Sequence, residues 1–175
     1  MNLRALVVAA TLAALTLAGC AGQGGDEPSP SPTATGLTLE GLVFAFGPGA
    51  KNVLDTTRGT FTKDMILASP LTVPMTLSDE EMARIAAKVD EIDFFSYPES
   101  FVTPDDGRGG WGFPHSTYVF RITTREGTKV VEWEDALFND DERAARLRSL
   151  ARLIEGIIMA RPEYERLPPP EGGYG

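Results

Sequence analysis

Hydrophobic positions along the chain follow two different periods, and the places where the period changes mark its elements. In LEGLVFAF, Leu39 to Phe46, alternate positions are large and apolar. Leu42, Phe44 and Phe46 therefore share one face of a predicted strand, which ends at Gly47-Pro48-Gly49. Two more alternating runs follow, from Arg58 to about Ile66 and from Leu71 to Leu77. Pro74 lies inside the second of these, so that run is an edge strand or a bulge, where a missing N–H costs no ladder bond. At SDEEMARIAAKVDEI the period lengthens to that of a helix. Met82, Ile85, Ala86, Val89 and Ile92 form one stripe, Ser78 and Glu81 form a capping box, and Glu80 and Arg84 are an i, i+4 pair on the other side. The helix is expected to end near Phe94.

From Tyr97 to His115 the chain reads YPESFVTPDDGRGGWGFPH, with no period at all. It is expected to be the longest irregular segment of the domain. Alternation returns in STYVFRITT, with Tyr118, Phe120 and Ile122 on one side, and in TKVVEWED, with Val131 and Trp133 on one side. Arg125-Glu126-Gly127 joins the two as a hairpin. The last long element, NDDERAARLRSLARLIEGIIMA, has Asn139 as its expected N-cap and three acids at the positive end of its dipole. Leu147, Leu150, Ala151, Ile154, Ile157 and Ile158 make its apolar face, and Arg148, Arg152 and Glu155 are placed opposite, towards solvent. Pro162 ends it. The tail beyond, PEYERLPPPEGGYG, is either loosely held or packs Tyr164, Leu167 and Tyr174 back onto the domain.

Strands with one polar side and helices with one apolar stripe predict a single α+β domain over residues 37–175. It should have two layers: a mainly antiparallel sheet of about five strands, with two helices on one face. About 140 residues are enough for one core and too few for two.

The N-terminal residues follow neither period. Arg4 precedes an unbroken run from Ala5 to Ala18 of Ala, Leu, Val and Thr, shorter than the roughly 20 residues a spanning helix needs. A charged start and a short apolar middle are the marks of an export signal, so residues 1–19 are expected to be removed. Leu17-Ala18-Gly19-Cys20 resembles the lipobox of bacterial lipoproteins. The resemblance implies cleavage before Cys20, a diacylglyceryl group on its thiol, and an extracytoplasmic protein anchored to a membrane. Residues 20–36 carry the lipid and then a Gly-, Pro- and Ser-rich linker. Its flexible reach is roughly 20 to 25 Å. In the domain itself GTFTKDM, EIDFFSYPE, KVVEW, PEYERLP and GGY resemble the recurring marks of small bacterial lipoproteins of no assigned activity, a family that brings no catalytic residues to transfer.

Charge narrows the partners. A net charge of −9 disfavours nucleic acid and anionic lipid headgroups, both of which select basic patches. Candidate chemistry is sparse. His115 is the only histidine, and its neighbour Ser116 is expected on the opposite strand face, which separates a nucleophile from its base. Glu99, Asp105, Asp106 and His115 share the irregular segment, so calcium there is conceivable in donor type, but DDGRGG lacks the spaced ligands of an EF-hand and reads as a turn. No resident cofactor is expected beyond the lipid on Cys20. GPGAKN lacks the spacing of a phosphate loop and reads as a turn.

The sequence therefore predicts a membrane-tethered binding or interaction module, non-enzymatic, whose partner is an envelope protein or small ligand. Its candidate contact residues are Phe101, Asp105, Asp106, Trp111, Phe113 and His115. The alternative is an envelope hydrolase or metal-dependent enzyme built on the same Tyr97 to His115 segment.

Overall fold

A computed structural model describes residues 36–105 and 107–174. These fall within one compact unit, Thr33–Gly175. Cys20, the lipobox and the linker up to residue 35, like Asp106, lie outside the described residues. The fold is α+β in two layers. The sheet has seven strands and the domain three helices among the described residues, against the five and two expected from periodicity.

Strands β1 (Gly41–Phe46), β2 (Asn52–Asp55), β3 (Thr60–Lys63) and β4 (Leu71–Pro74) form an antiparallel meander. Helix α1 (Asp79–Glu91) follows, then the two-residue strand β5 (Ser100–Phe101), the long hairpin β6 (Gly110–Thr124) and β7 (Gly127–Phe138), α2 (Glu142–Met159) and the single turn α3 (Pro162–Glu165). The strand order is β4-β3-β2-β1-β6-β7-β5. β5 runs parallel to β7, and every other pairing between these strands is antiparallel. Pro74 sits on the edge strand, as its missing donor requires.

One face carries the core. Leu42, Phe44, Phe46, Leu54, Phe61, Phe120, Ile122, Val131 and Trp133 are buried there beneath Ile85, Val89 and Ile92 of the α1 segment and Leu147, Leu150, Ile154 and Ile158 of α2. The alternation predicted for β1, β6 and β7 is the reason one face can be apolar throughout. The capping box forms: Ser78 Oγ accepts from the Glu81 N–H, and a Glu81 carboxylate oxygen accepts from the Ser78 N–H. Glu81 also binds Arg161 at 3.0 Å, so the box ties α1 to the end of α2. The other ion pair of α1 is Lys88–Glu91, rather than Glu80–Arg84.

Several boundaries differ from expectation. The N-cap of α2 is Asp141, whose carboxylate accepts from Ala144 N–H, and Asn139 instead braces Asp141 N–H. The alternating run at Arg58 yields only β3, because Asp55 accepts from the Thr57 and Arg58 N–H groups and closes a turn there. β6 begins five residues before His115, so about a third of the expected loop is strand.

The tail takes the packed alternative. Tyr164 lies 5.7 Å from Phe61, Lys63 Nζ donates to Pro168 O at 2.8 Å, Leu67 N–H donates to Glu171 O, and the Tyr174 hydroxyl donates to Asp64. Lys51 stands over the Tyr174 ring. Burial alone raises the Asp64 carboxyl. The Tyr174 hydroxyl, the Ile66 N–H and the Lys51 charge outweigh it and hold the group below its ordinary 3.8. A carboxyl depressed in the folded state contributes stability that is present above about pH 4 and is lost as pH falls through the folded value. Hydrogen-exchange protection at Leu67 and Glu171 is therefore expected to fall below about pH 4, ahead of the sheet. In Tyr174→Phe it is expected to be lower by about 1 kcal/mol at neutral pH, with a flatter acid dependence.

Candidate binding surface

The hairpin β6–β7 projects beyond the rest of the sheet at the end far from its turn. β1 pairs with β6 only as far as Val119, whereas β7 follows β6 to Gly110. Between Trp111 and Ser116 the register breaks: Trp111 faces Leu137 and Ser116 faces Asp135, so Gly112 to His115 stand opposite Ala136 alone. Four residues against one must bulge outward, and a bulge turns side chains away from the ladder. The segment includes the cis peptide Phe113-Pro114. Trp111 is 73% exposed, Phe113 81% and Phe138 55%. The three rings belong to the two strands of one ribbon. Phe138 lies against Gly112, where an added Cβ would meet its ring at 2.1 Å, so the glycine is the seat of that aromatic.

Beside the ribbon lies a groove of about 360 Å³. Trp111, Val102 and Thr103 line it together with Thr117, Glu132 and Glu134 of the sheet's outer face. Trp133 reaches it from the core side, and its indole N–H donates to Thr103 Oγ1 at 2.9 Å, which fastens the 102–104 segment. Asn139 Nδ2 holds the same segment through Pro104 O.

The predicted contact residues thus separate. Trp111 and Phe113 stand on the ribbon, exposed. Phe101 is in the core, 5.3 Å from Tyr97 and 6.1 Å from Trp133. His115 is half-buried, 6.3 Å from the Phe113 ring, with Nε2 3.8 Å from Glu134. Asp105 is exposed and accepts from the Gly107 N–H, the turn that DDG predicted. Among the described residues no group of three or more His, Cys, Asp or Glu side chains is gathered to hold a metal ion, so Glu99, Asp105 and His115 do not converge.

Sequence reasoning missed Phe138 and a polar cluster on the helix-covered face. Arg148 is not on a solvated face. It grips Asp135 with Nε and Nη2 at 3.0 and 2.8 Å, donates to Leu137 O, and lies over Trp133. The hydrogen bond with Asp135 raises the Arg148 pKa further. Nearby, burial raises the Glu155 carboxyl against the Tyr118 hydroxyl and the Arg152 charge. Burial likewise raises Tyr118, with the Glu155 charge adding to it. A signal for the pair was present in EWED: Asp135 has the same parity as Val131 and Trp133, and an acid on a core-facing position needs a buried partner. The cluster supports the base of the ribbon, since Asp135 and Leu137 are its β7 strand.

The chain matches no family model, no curated protein and no solved structure.

Proposed function

We propose that the protein is a lipid-anchored, extracytoplasmic binding module that holds its partner on the aromatic ribbon of β6 and β7. One observation carries the reading: Trp111, Phe113 and Phe138 are large and exposed on the two strands of one projecting ribbon. Exposed clusters of this kind mark interaction sites, and aromatic anchors supply most of the energy of such contacts. The bracing of the ribbon by the Arg148–Asp135 pair and by Thr103 supports it, because a platform held rigid before binding loses less entropy on binding.

The anchor has its own expected result. Wild-type chain partitions with membranes and carries the mass of a lipid on Cys20. Cys20→Ala is released to the soluble extracytoplasmic fraction without that mass. Equal membrane partitioning and equal mass in the variant would remove the anchor from the reading.

The binding surface is tested by a photo-reactive residue in place of Phe113, with a second at Leu71 on the opposite sheet edge. Crosslinks in cells are expected at position 113, and Trp111→Ala reduces their yield about 30-fold, the effect of losing a contact of about 2 kcal/mol. Equal crosslinking from both positions argues against a ribbon site.

A further inference from the structure

We infer that the occupant of the groove beside Trp111 is a cationic segment of a protein partner, a lysine or arginine head set between Glu132 and Glu134 with apolar residues on either side. The inference rests on the binding reading above and adds to it the chemistry of the partner.

Charge is the first argument. Glu132 and Glu134 are two apart on β7 and so point to the same face, roughly 7 Å from each other, opposite Val119 and Thr117. Both are exposed, and both line the groove. No lysine or arginine is among the groove's lining residues. The arginine nearest by register on that face, Arg121, stands one rung along, opposite Val130, and makes no ion pair with Glu132. The neighbour of Glu134 is His115 Nε2 at 3.8 Å. Two adjacent carboxylates on a chain of net charge −9 repel each other and any anionic polymer, and a cation entering between them relieves both.

The groove wall is the second argument. Trp111 lines the same groove, and tryptophan is the strongest aromatic partner for a cationic head. The fit to a protein rather than a free amine comes from extent. Exposed Val102 lines the groove beside Trp111, and exposed Phe113 stands two residues along β6, so apolar surface extends beyond what a single head group covers. A peptide that alternates basic and apolar side chains meets the carboxylates with one set and the rings with the other.

The test uses the full chain, purified with its lipid in detergent, and three fluorescein-labelled peptides: Gly-Phe-Arg-Phe-Arg-Phe-Gly and its versions with glutamine or glutamate at both arginine positions. The arginine peptide is expected to bind at least ten-fold more tightly than the glutamine one. Raising salt and the double change Glu132→Gln/Glu134→Gln each reduce its affinity at least ten-fold, and Trp111→Ala does so as well. A control double change on α1, Glu80→Gln/Asp90→Asn, removes the same charge and leaves affinity within two-fold. Equal binding of the glutamine peptide, or equal loss in the α1 control, overturns the cationic assignment. If Trp111→Ala still weakens that binding, the ribbon site stands without it. Trp111-dependent binding of an N-acetylglucosamine tetramer in place of the peptides gives the groove to a glycan and overturns the inference alone. No Trp111-dependent binding of any probe overturns the inference, and absence of position-113 crosslinks in cells then overturns the ribbon site too.

Discussion

Asp135→Ala is expected to cost about 3–5 kcal/mol of stability, because it leaves the largely buried Arg148 guanidinium without the carboxylate that grips it. Asp135 is 7% exposed and holds Arg148 in a two-pronged contact, while Trp133 lies against the guanidinium from one side. An arginine so placed cannot shed its proton, and its bond to Leu137 O holds it at the site. The loss is not the value of the ion pair itself. The double change Asp135→Leu/Arg148→Met removes both charges at similar volume and is expected to fall within about 1.5 kcal/mol of wild type. Chemical denaturation of the three proteins checks this. Equal losses in the single and double variants would mean that packing, and not the stranded charge, dominates.

Phe44→Ala is expected to cost a similar 3–5 kcal/mol, by cavity formation. Phe44 is fully buried on β1, in the middle of the sheet, and its ring centroid lies 5.1 Å from Phe46, 5.0 Å from Phe120 and 6.1 Å from Tyr118. Removing it opens a space among three rings whose own strands are fixed by pairing, so the site collapses poorly. For a domain of this size the loss corresponds to a fall in Tm of roughly 10–20 °C. A calorimetric shift under 5 °C would show that the aromatic cluster can repack. Phe44→Leu, which keeps most of the volume, is expected to lose less than half as much.

What could be read from the sequence was local. The α1 stripe and its capping box, the β6–β7 hairpin and the buried face of β1 each depend on residues within a few positions of one another, and each is present. What could not be read was set by partners far along the chain. β2 is four residues with one buried side chain, Leu54, and it is a strand because β1 and β3 flank it. β5 is two residues long and exists only as a parallel neighbour of β7. GGWGFPH carries two breaker types and reads as loop. Gly110 and Trp111 are nevertheless strand because Phe138 and Leu137 pair with them. The same holds for the candidate site. Trp111 and Phe113 stood out as aromatics among glycines, but Phe138 joins them from the other strand, and Phe101 leaves them for the core. Arg148 was assigned to solvent because its helix gave no sign of Asp135 on the strand before it.

The docking of the 162–174 segment bears on the order in which the chain can fold. Lys63 finds its carbonyl partner 105 residues later at Pro168, and Asp64 finds Tyr174 after 110. β1, in the middle of the sheet, gains its second neighbour only with β6. A polypeptide delivered N-terminus first can assemble the β1–β4 meander early, but its apolar face then waits for α2 and the hairpin. Loop closure over such distances is slow, and the half-built sheet is the species most exposed to aggregation. Folding is thereby postponed until nearly all of the chain has arrived. If the chain is exported as proposed above, late closure would keep it extended for as long as it is threaded across the membrane.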